Sequence, residues 1–236
     1  MSKSRSTPGD SFAEEAAKKK RRTTKFHVDW QNTAQKMAYN AYKQHDVLFL
    51  IGPAGTGKTH CAMSYGIEEI LRPDKDNRKT KIVLTRPIVE AGESLGYLPG
   101  DLNEKTDPYM MPCYDILEDM VKDPDQRKLV EESLEVIPLA YMRGRTFKNA
   151  VCIFDEAQNA TFKQLKMFLS RFQEGSKVVI TGDPAQSDLA GGNTVDLVNV
   201  VKRLEGLLGI GMIRFNKDSI VRHPLVSKIL ERLEEE

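Results

Sequence analysis

The residues Gly52-Pro53-Ala54-Gly55-Thr56-Gly57-Lys58-Thr59 match the pattern G-x-x-x-x-G-K-[ST] at every fixed position. Glycines allow a backbone to curl so that successive N–H groups point at one anion. The lysine, Lys58, offers a point charge to the β- and γ-phosphates of a nucleotide, and the Thr59 hydroxyl is a ligand for its magnesium. A second cluster, Phe154-Asp155-Glu156-Ala157-Gln158, ends an apolar run. Asp155 there suits magnesium, held through water, and Glu156 suits a general base that orients an attacking water. Nucleotide binding alone has no use for the second carboxylate; hydrolysis does. A third cluster, Thr181-Gly182-Asp183-Pro184-Ala185-Gln186, makes Gln186 a candidate sensor of the γ-phosphate, the plainer reading being a Gly-Asp-Pro turn. Gln35, 17 residues before Gly52, is a candidate amide for the base. Asn216-Lys217-Asp218 is one residue too short for a guanine-specificity motif, so ATP with Mg2+ is the expected ligand.

These groups need a scaffold that brings strand ends together. Val47-Leu48-Phe49-Leu50-Ile51 is a continuous apolar run, as in strands buried on both faces, and the pattern from Lys58 to Leu71 is helical. Further strands are predicted at 82–85, 151–154, 177–181 and 210–215. Helices are predicted over 31–45, 113–122, 126–134, 161–172, 195–207 and 224–235. Residues 86–110 read as one long Gly- and Pro-rich loop. The alternation gives an α/β fold with a mainly parallel sheet and helices on both faces, its ligand at the carboxyl ends of the strands.

The blocks together resemble the PhoH-like ATPases, a bacterial and phage family with one RecA-like domain. The resemblance spans about residues 31–232 and rests on Leu84-Thr85-Arg86-Pro87, Glu90-Ala91-Gly92-Glu93-Ser94-Leu95-Gly96-Tyr97-Leu98-Pro99-Gly100-Asp101, Glu104-Lys105 with Asp107-Pro108-Tyr109, Pro138–Thr146, and Asp155–Asn159. It implies a RecA-like P-loop NTPase, ring-shaped hexamers, and links to RNA or single-stranded nucleic acid, to which Arg86 of the helicase-like Thr-Arg-Pro block adds support. A ring of this kind implies an arginine reaching the site from a neighbouring subunit, with Arg222 of Val221-Arg222-His223-Pro224 one candidate and Arg143 and Arg145 others. His60-Cys61 departs from the aromatic common in the family after the P-loop threonine, which puts the base-side pocket in doubt. The short chain resembles the phage-encoded forms.

The 236 residues are 40 % hydrophobic and 29 % charged, enough apolar material for one core. Residues 1–26 carry eight Lys/Arg against three Asp/Glu, while the remaining 27 basic and 31 acidic residues make 27–236 acidic. The expected organisation is a disordered basic tail, 1–26, before an ATPase domain, 27–236. No apolar run of membrane-spanning length and no signal segment is present, so a cytoplasmic protein is expected. Cys61, Cys113 and Cys152 are too far apart in sequence for a zinc or redox motif, and Cys61 and Cys152 read as buried hydrophobes. The leading reading is a ring-forming ATPase coupled to RNA or single-stranded nucleic acid, with helicase-like action. The alternative is an ATP-dependent switch or assembly factor acting on a protein partner. A small-molecule kinase is disfavoured by Glu156, which favours water as acceptor.

Overall fold

The computed structural model describes residues 26–72, 79–87, 102–186 and 195–221, with isolated positions at 225, 226, 229 and 232. The basic tail up to residue 25, the whole family block over 90–101, Arg222 and most of the helix expected over 224–235 therefore lie outside the described residues.

Helix α1 (Thr33–Gln44) starts where the Asn32 side chain accepts a hydrogen bond from the Gln35 N–H. It leads into β1 (Val47–Ile51), the phosphate-loop segment and α2 (Lys58–Leu71). Strand β2 (Lys81–Thr85) follows, then α3 (Leu102–Met120), α4 (Pro124–Ser133), β3 (Leu134–Val136) and β4 (Ala150–Phe154). The chain continues through α5 (Phe162–Leu169), β5 (Lys177–Gly182), α6 (Val195–Leu204) and β6 (Ile210–Arg214). The six strands form one sheet in the order β3-β2-β4-β5-β1-β6, and every pairing is parallel.

The sheet separates two apolar layers, and β1 shows why its sequence is apolar without a break. Leu48 and Leu50 join the layer formed with α1, α2, α3 and α4, around Ala38, Tyr42, Tyr65, Leu117 and Val130. Val47, Phe49 and Ile51 join the opposite layer, with Leu165 and Phe168 of α5 and Leu197 and Val200 of α6. Both faces are covered, so period-two alternation has no place in this strand. Cys61, Cys113 and Cys152 are all core residues, and burial pushes each thiol up to about 12.

Several elements differ from the sequence expectation. The long loop ends at Leu102, where α3 begins, rather than running to residue 110. Helix α4 starts at Pro124, behind the Asp123 cap whose side chain accepts from the Gln126 N–H. It stops at Ser133 because Leu134–Val136 pair with Ile82–Leu84 as an edge strand too short to show a period. Helix α5 begins with a Thr161–Gln164 capping box and ends at Leu169. Beyond it the backbone turns to pair with Phe147, which donates to the Arg171 carbonyl and accepts from the Gln173 N–H.

Candidate functional site

The loop after β1 lies at the carboxyl edge of the sheet, between the ends of β5 and β6. Gly52 donates its N–H to the Gly182 carbonyl at 3.1 Å, and Phe215 donates to the Ile51 carbonyl at 2.7 Å. A Cβ on Gly52 would stand 2.3 Å from the Phe215 carbonyl oxygen, so only glycine passes there. Gly55 and Gly57 take left-handed φ values of 79° and 82°. Gly57 is the N-cap of α2, and no side chain caps that helix end. Its first N–H groups and the positive end of its dipole therefore face the loop, an arrangement made for an anion.

Four observations show that these residues fit a phosphate chain with its metal. The Lys58 ammonium donates to the Gly52 carbonyl at 2.7 Å and the Pro53 carbonyl at 2.8 Å, lying across the loop it would serve. The Ala54 N–H already holds an anionic oxygen, Oδ2 of Asp183, at 3.1 Å. The Thr59 hydroxyl donates to Asp155 Oδ1 at 2.9 Å, bringing together the two expected magnesium ligands. Asp155 Oδ2 is buried and accepts no hydrogen bond among the described residues.

Asp155 follows β4 directly, and its N–H donates to the Thr85 carbonyl at 2.9 Å. The residue is 1 % exposed. Burial pushes its carboxyl above the usual range; the Arg86 charge opposes that and Glu156 adds to it, while the Thr181 and Thr59 hydroxyls favour the ionised form. Glu156 has a left-handed backbone, φ 54° and ψ 44°, which costs a non-glycine residue about 1 kcal/mol or more. Its side chain holds that position with Oε1 accepting from Arg86 at 2.9 Å and Oε2 accepting from Gln158 at 2.6 Å. The Gln158 amide oxygen in turn accepts from the Asp183 N–H at 3.0 Å. A continuous line of hydrogen bonds thus runs from Ala54 through Asp183 and Gln158 to Glu156 and Arg86.

The structure thus gathers Gly52 through Thr59 with Asp155 and Glu156. Gln35 is also against the loop, 2 % exposed, with its amide N–H donating to the Thr56 carbonyl at 3.1 Å and its amide oxygen accepting from the Gln31 N–H at 2.9 Å. Gln186 is exposed at the turn after β5, where its N–H donates to the Asp183 carbonyl. Of the arginines expected to act between subunits, Arg145 is ion-paired to Glu135 of its own chain, Arg143 is exposed, and Arg222 is outside the described residues. Sequence reasoning missed Arg86, Gln158, Asp183 and Thr181 as parts of this site. Each lies at or just past the end of β2, β4 or β5, the same signal that marked Asp155.

A parallel sheet with a glycine-rich loop between its first strand and helix, and an Asp-Glu pair closing the fourth strand, defines the RecA-like class of P-loop nucleotide-binding proteins. Residues 27–234 match the family model described as PhoH-like protein. The chain belongs to the PhoH-like family. It is 50 % identical over 192 residues to the PhoH-like protein of Bacillus subtilis, which covers 81 % of this chain and 59 % of that relative. It is 39 % identical over 203 residues to Protein PhoH of Escherichia coli, covering 85 % of this chain and 56 % of the relative. The chain thus spans less than two thirds of the length of these relatives. The large terminase of a thermophilic bacteriophage superposes with a TM-score of 0.55 at 13 % identity, over 86 % of this chain and 50 % of the terminase. At that identity the likeness is one of fold. No helix among the described residues is long and apolar enough to cross a membrane.

Proposed function

We propose that the chain is a magnesium-dependent ATPase that works in the cytoplasm as a ring of identical subunits, hexameric in the family's manner, and couples hydrolysis to RNA or single-stranded nucleic acid. Support for hydrolysis comes above all from Glu156, whose half-exposed carboxylate stands next to buried Asp155, itself met by the Thr59 hydroxyl of α2 at 2.9 Å. Lys58 would exchange the Gly52 and Pro53 carbonyls for phosphate oxygens. Thr59 and Asp155 would hold magnesium, which when bound neutralises charge on the phosphates. Glu156 would take a proton from water on the open side of the site. Gln186, on the turn that carries Asp183, would report the nucleotide state, and an arginine from the next subunit, Arg143, Arg145 or Arg222, would complete the site.

The nucleic-acid part is supported by the family and by the basic tail, which would add sequence-independent phosphate affinity. The acidic balance of residues 27–236 favours the second reading, a switch acting on a protein partner. Phosphate release by the wild type with and without mixed single-stranded RNA, beside Glu156→Gln, decides between them. A rate that rises several-fold with RNA and vanishes in the variant supports the coupled ATPase. Turnover indifferent to RNA and single-stranded DNA favours the protein-partner switch, and no turnover at all overturns the ATPase.

A further inference from the structure

Of the four carboxylate oxygens of Asp155 and Glu156, three accept hydrogen bonds: Asp155 Oδ1 from Thr59 and Thr181, Glu156 Oε1 from Arg86, and Glu156 Oε2 from Gln158. The fourth, Asp155 Oδ2, faces Arg86 Nη2 at 3.1 Å as an ion pair without a hydrogen bond. Two adjacent carboxylates, one of them 1 % exposed, require a cation nearby. Among the described ion pairs only Arg86 supplies one, spanning both residues with the same Nη2 atom.

The sequence suggested a nucleic-acid role for Arg86; the structure turns it inward, with its side chain only 18 % exposed. It therefore stands at the residue expected to hold magnesium. A guanidinium and a divalent ion serving one carboxylate repel each other, and the desolvated setting of Asp155 strengthens that repulsion. Exchange would need no backbone movement. The Asp155 N–H is fixed to the Thr85 carbonyl by the β2–β4 ladder, while the long Arg86 side chain can swing toward solvent.

We propose that Arg86 is an internal cation that occupies the Asp155–Glu156 pair in the nucleotide-free protein and is displaced from Asp155 when a divalent ion arrives. The inference rests on the ATPase reading of the same site. Its consequence is a link between loading and chemistry. As Arg86 leaves, Glu156 Oε1 loses its donor and can turn to water, while Gln158 still holds Oε2. Arg86 is thus a positioning residue, and the base is armed only when the metal is in place.

The test uses the full chain without nucleotide and manganese as the probe, with free Mn2+ followed by electron paramagnetic resonance. Arg86→Gln should bind Mn2+ about tenfold tighter than wild type, the effect of ~1.4 kcal/mol less repulsion. Arg86→Lys, which keeps the charge, should stay close to wild type, and adding Asp155→Asn to Arg86→Gln should erase the gain. Thermal midpoints in chelator read the same exchange through stability: Arg86→Gln should melt lower than wild type, and Mn2+ should restore it more than it stabilises wild type. Equal Mn2+ affinity in wild type and Arg86→Gln, a gain that survives Asp155→Asn, or a lowered midpoint that Mn2+ does not restore would each overturn the proposal. Because no turnover is measured, cation exchange without any phosphate release sinks the ATPase reading alone, and phosphate release without cation exchange sinks this inference alone.

Discussion

Around the glycine-rich loop every contact among the described residues has a backbone group on at least one side, and the ties to the neighbouring strands run from backbone to backbone. Around Asp155 and Glu156 the contacts that hold the carboxylates run instead from side chain to side chain. The loop is tied by Gly52 to Gly182, by Phe215 to Ile51 and by Val221 to the Gly55 carbonyl, and only glycine fits at its entry. The carboxylates are tied by Arg86, Gln158, Thr59 and Thr181, all with rotatable bonds. A surface that receives phosphate gains from keeping its shape, since every preformed N–H lowers the ordering cost of binding. Groups that hold a metal and activate water must trade partners within each cycle, and polar side chains can do so where a ladder of backbone bonds cannot. The two halves should therefore fail differently when damaged.

The largest separation is expected between Glu156→Gln and Lys58→Ala. Glutamine keeps the size of Glu156 and a carbonyl oxygen for the Arg86 contact but is no base. Phosphate release should fall about 10²–10⁴-fold with ATP affinity preserved, measured by single-turnover chemistry beside equilibrium binding. Lys58→Ala removes the loop's charge and should weaken ATP binding by about 3 kcal/mol, roughly a hundredfold, in a titration with a fluorescent ATP analogue. Equal affinity and equal residual turnover in the two variants would erase the distinction between a binding half and a chemical half.

That distinction was only half legible in the sequence. Gly52 through Thr59 could be assigned because a phosphate loop is local: its glycines, its lysine and its flanking strand and helix occupy one continuous stretch. The same holds for β1, whose five apolar residues announce burial on both faces. The Arg86 partner of Glu156 was not readable, because Arg86 is 70 residues away and meets it only through the β2–β4 pairing. Strand β3 escaped for the same reason, since Leu134–Val136 become a strand only by lying beside β2. Low periodicity misled at 86–110, where it suggested an unbroken loop and α3 begins at Leu102.

A subtler probe is Gln35, which the sequence assigned to the base and whose amide braces the loop. A Cβ on Gly57 would lie 2.6 Å from its Nε2, and that nitrogen donates to the Thr56 carbonyl. If Gln35 supports loop shape, Gln35→Ala should weaken ATP and GTP alike, by about tenfold, the effect of one buried hydrogen bond lost at ~1–1.5 kcal/mol. If it reads the base, the ratio of the two affinities will change instead. Competition titrations with both nucleotides separate these outcomes. A changed ratio would move the loop out of the class of rigid, sequence-blind phosphate receivers and weaken the contrast with the carboxylates.

The smallest expected effect comes from Glu69, near the far end of α2, the helix whose first turn faces the phosphate site. Its carboxylate is buried, its Oε2 has no hydrogen-bond partner among the described residues, and Arg72 meets Oε1 at 3.1 Å. Burial holds its carboxyl above the usual range, a shift that Arg72 opposes only in part. The folded chain thus favours the protonated form: the stabilising contribution is complete below the unfolded value near 4.5 and is lost as pH rises through the folded value. Glu69→Gln keeps the side chain's shape without the charge, so its melting midpoint should exceed that of wild type at about pH 8 and converge with it toward about pH 4. Phosphate release should be unchanged throughout, because the variant touches neither the loop nor the carboxylates. A fall in turnover would mean that α2 transmits strain from its buried end to its first turn, and the phosphate half would then be less rigid than its backbone bonds imply.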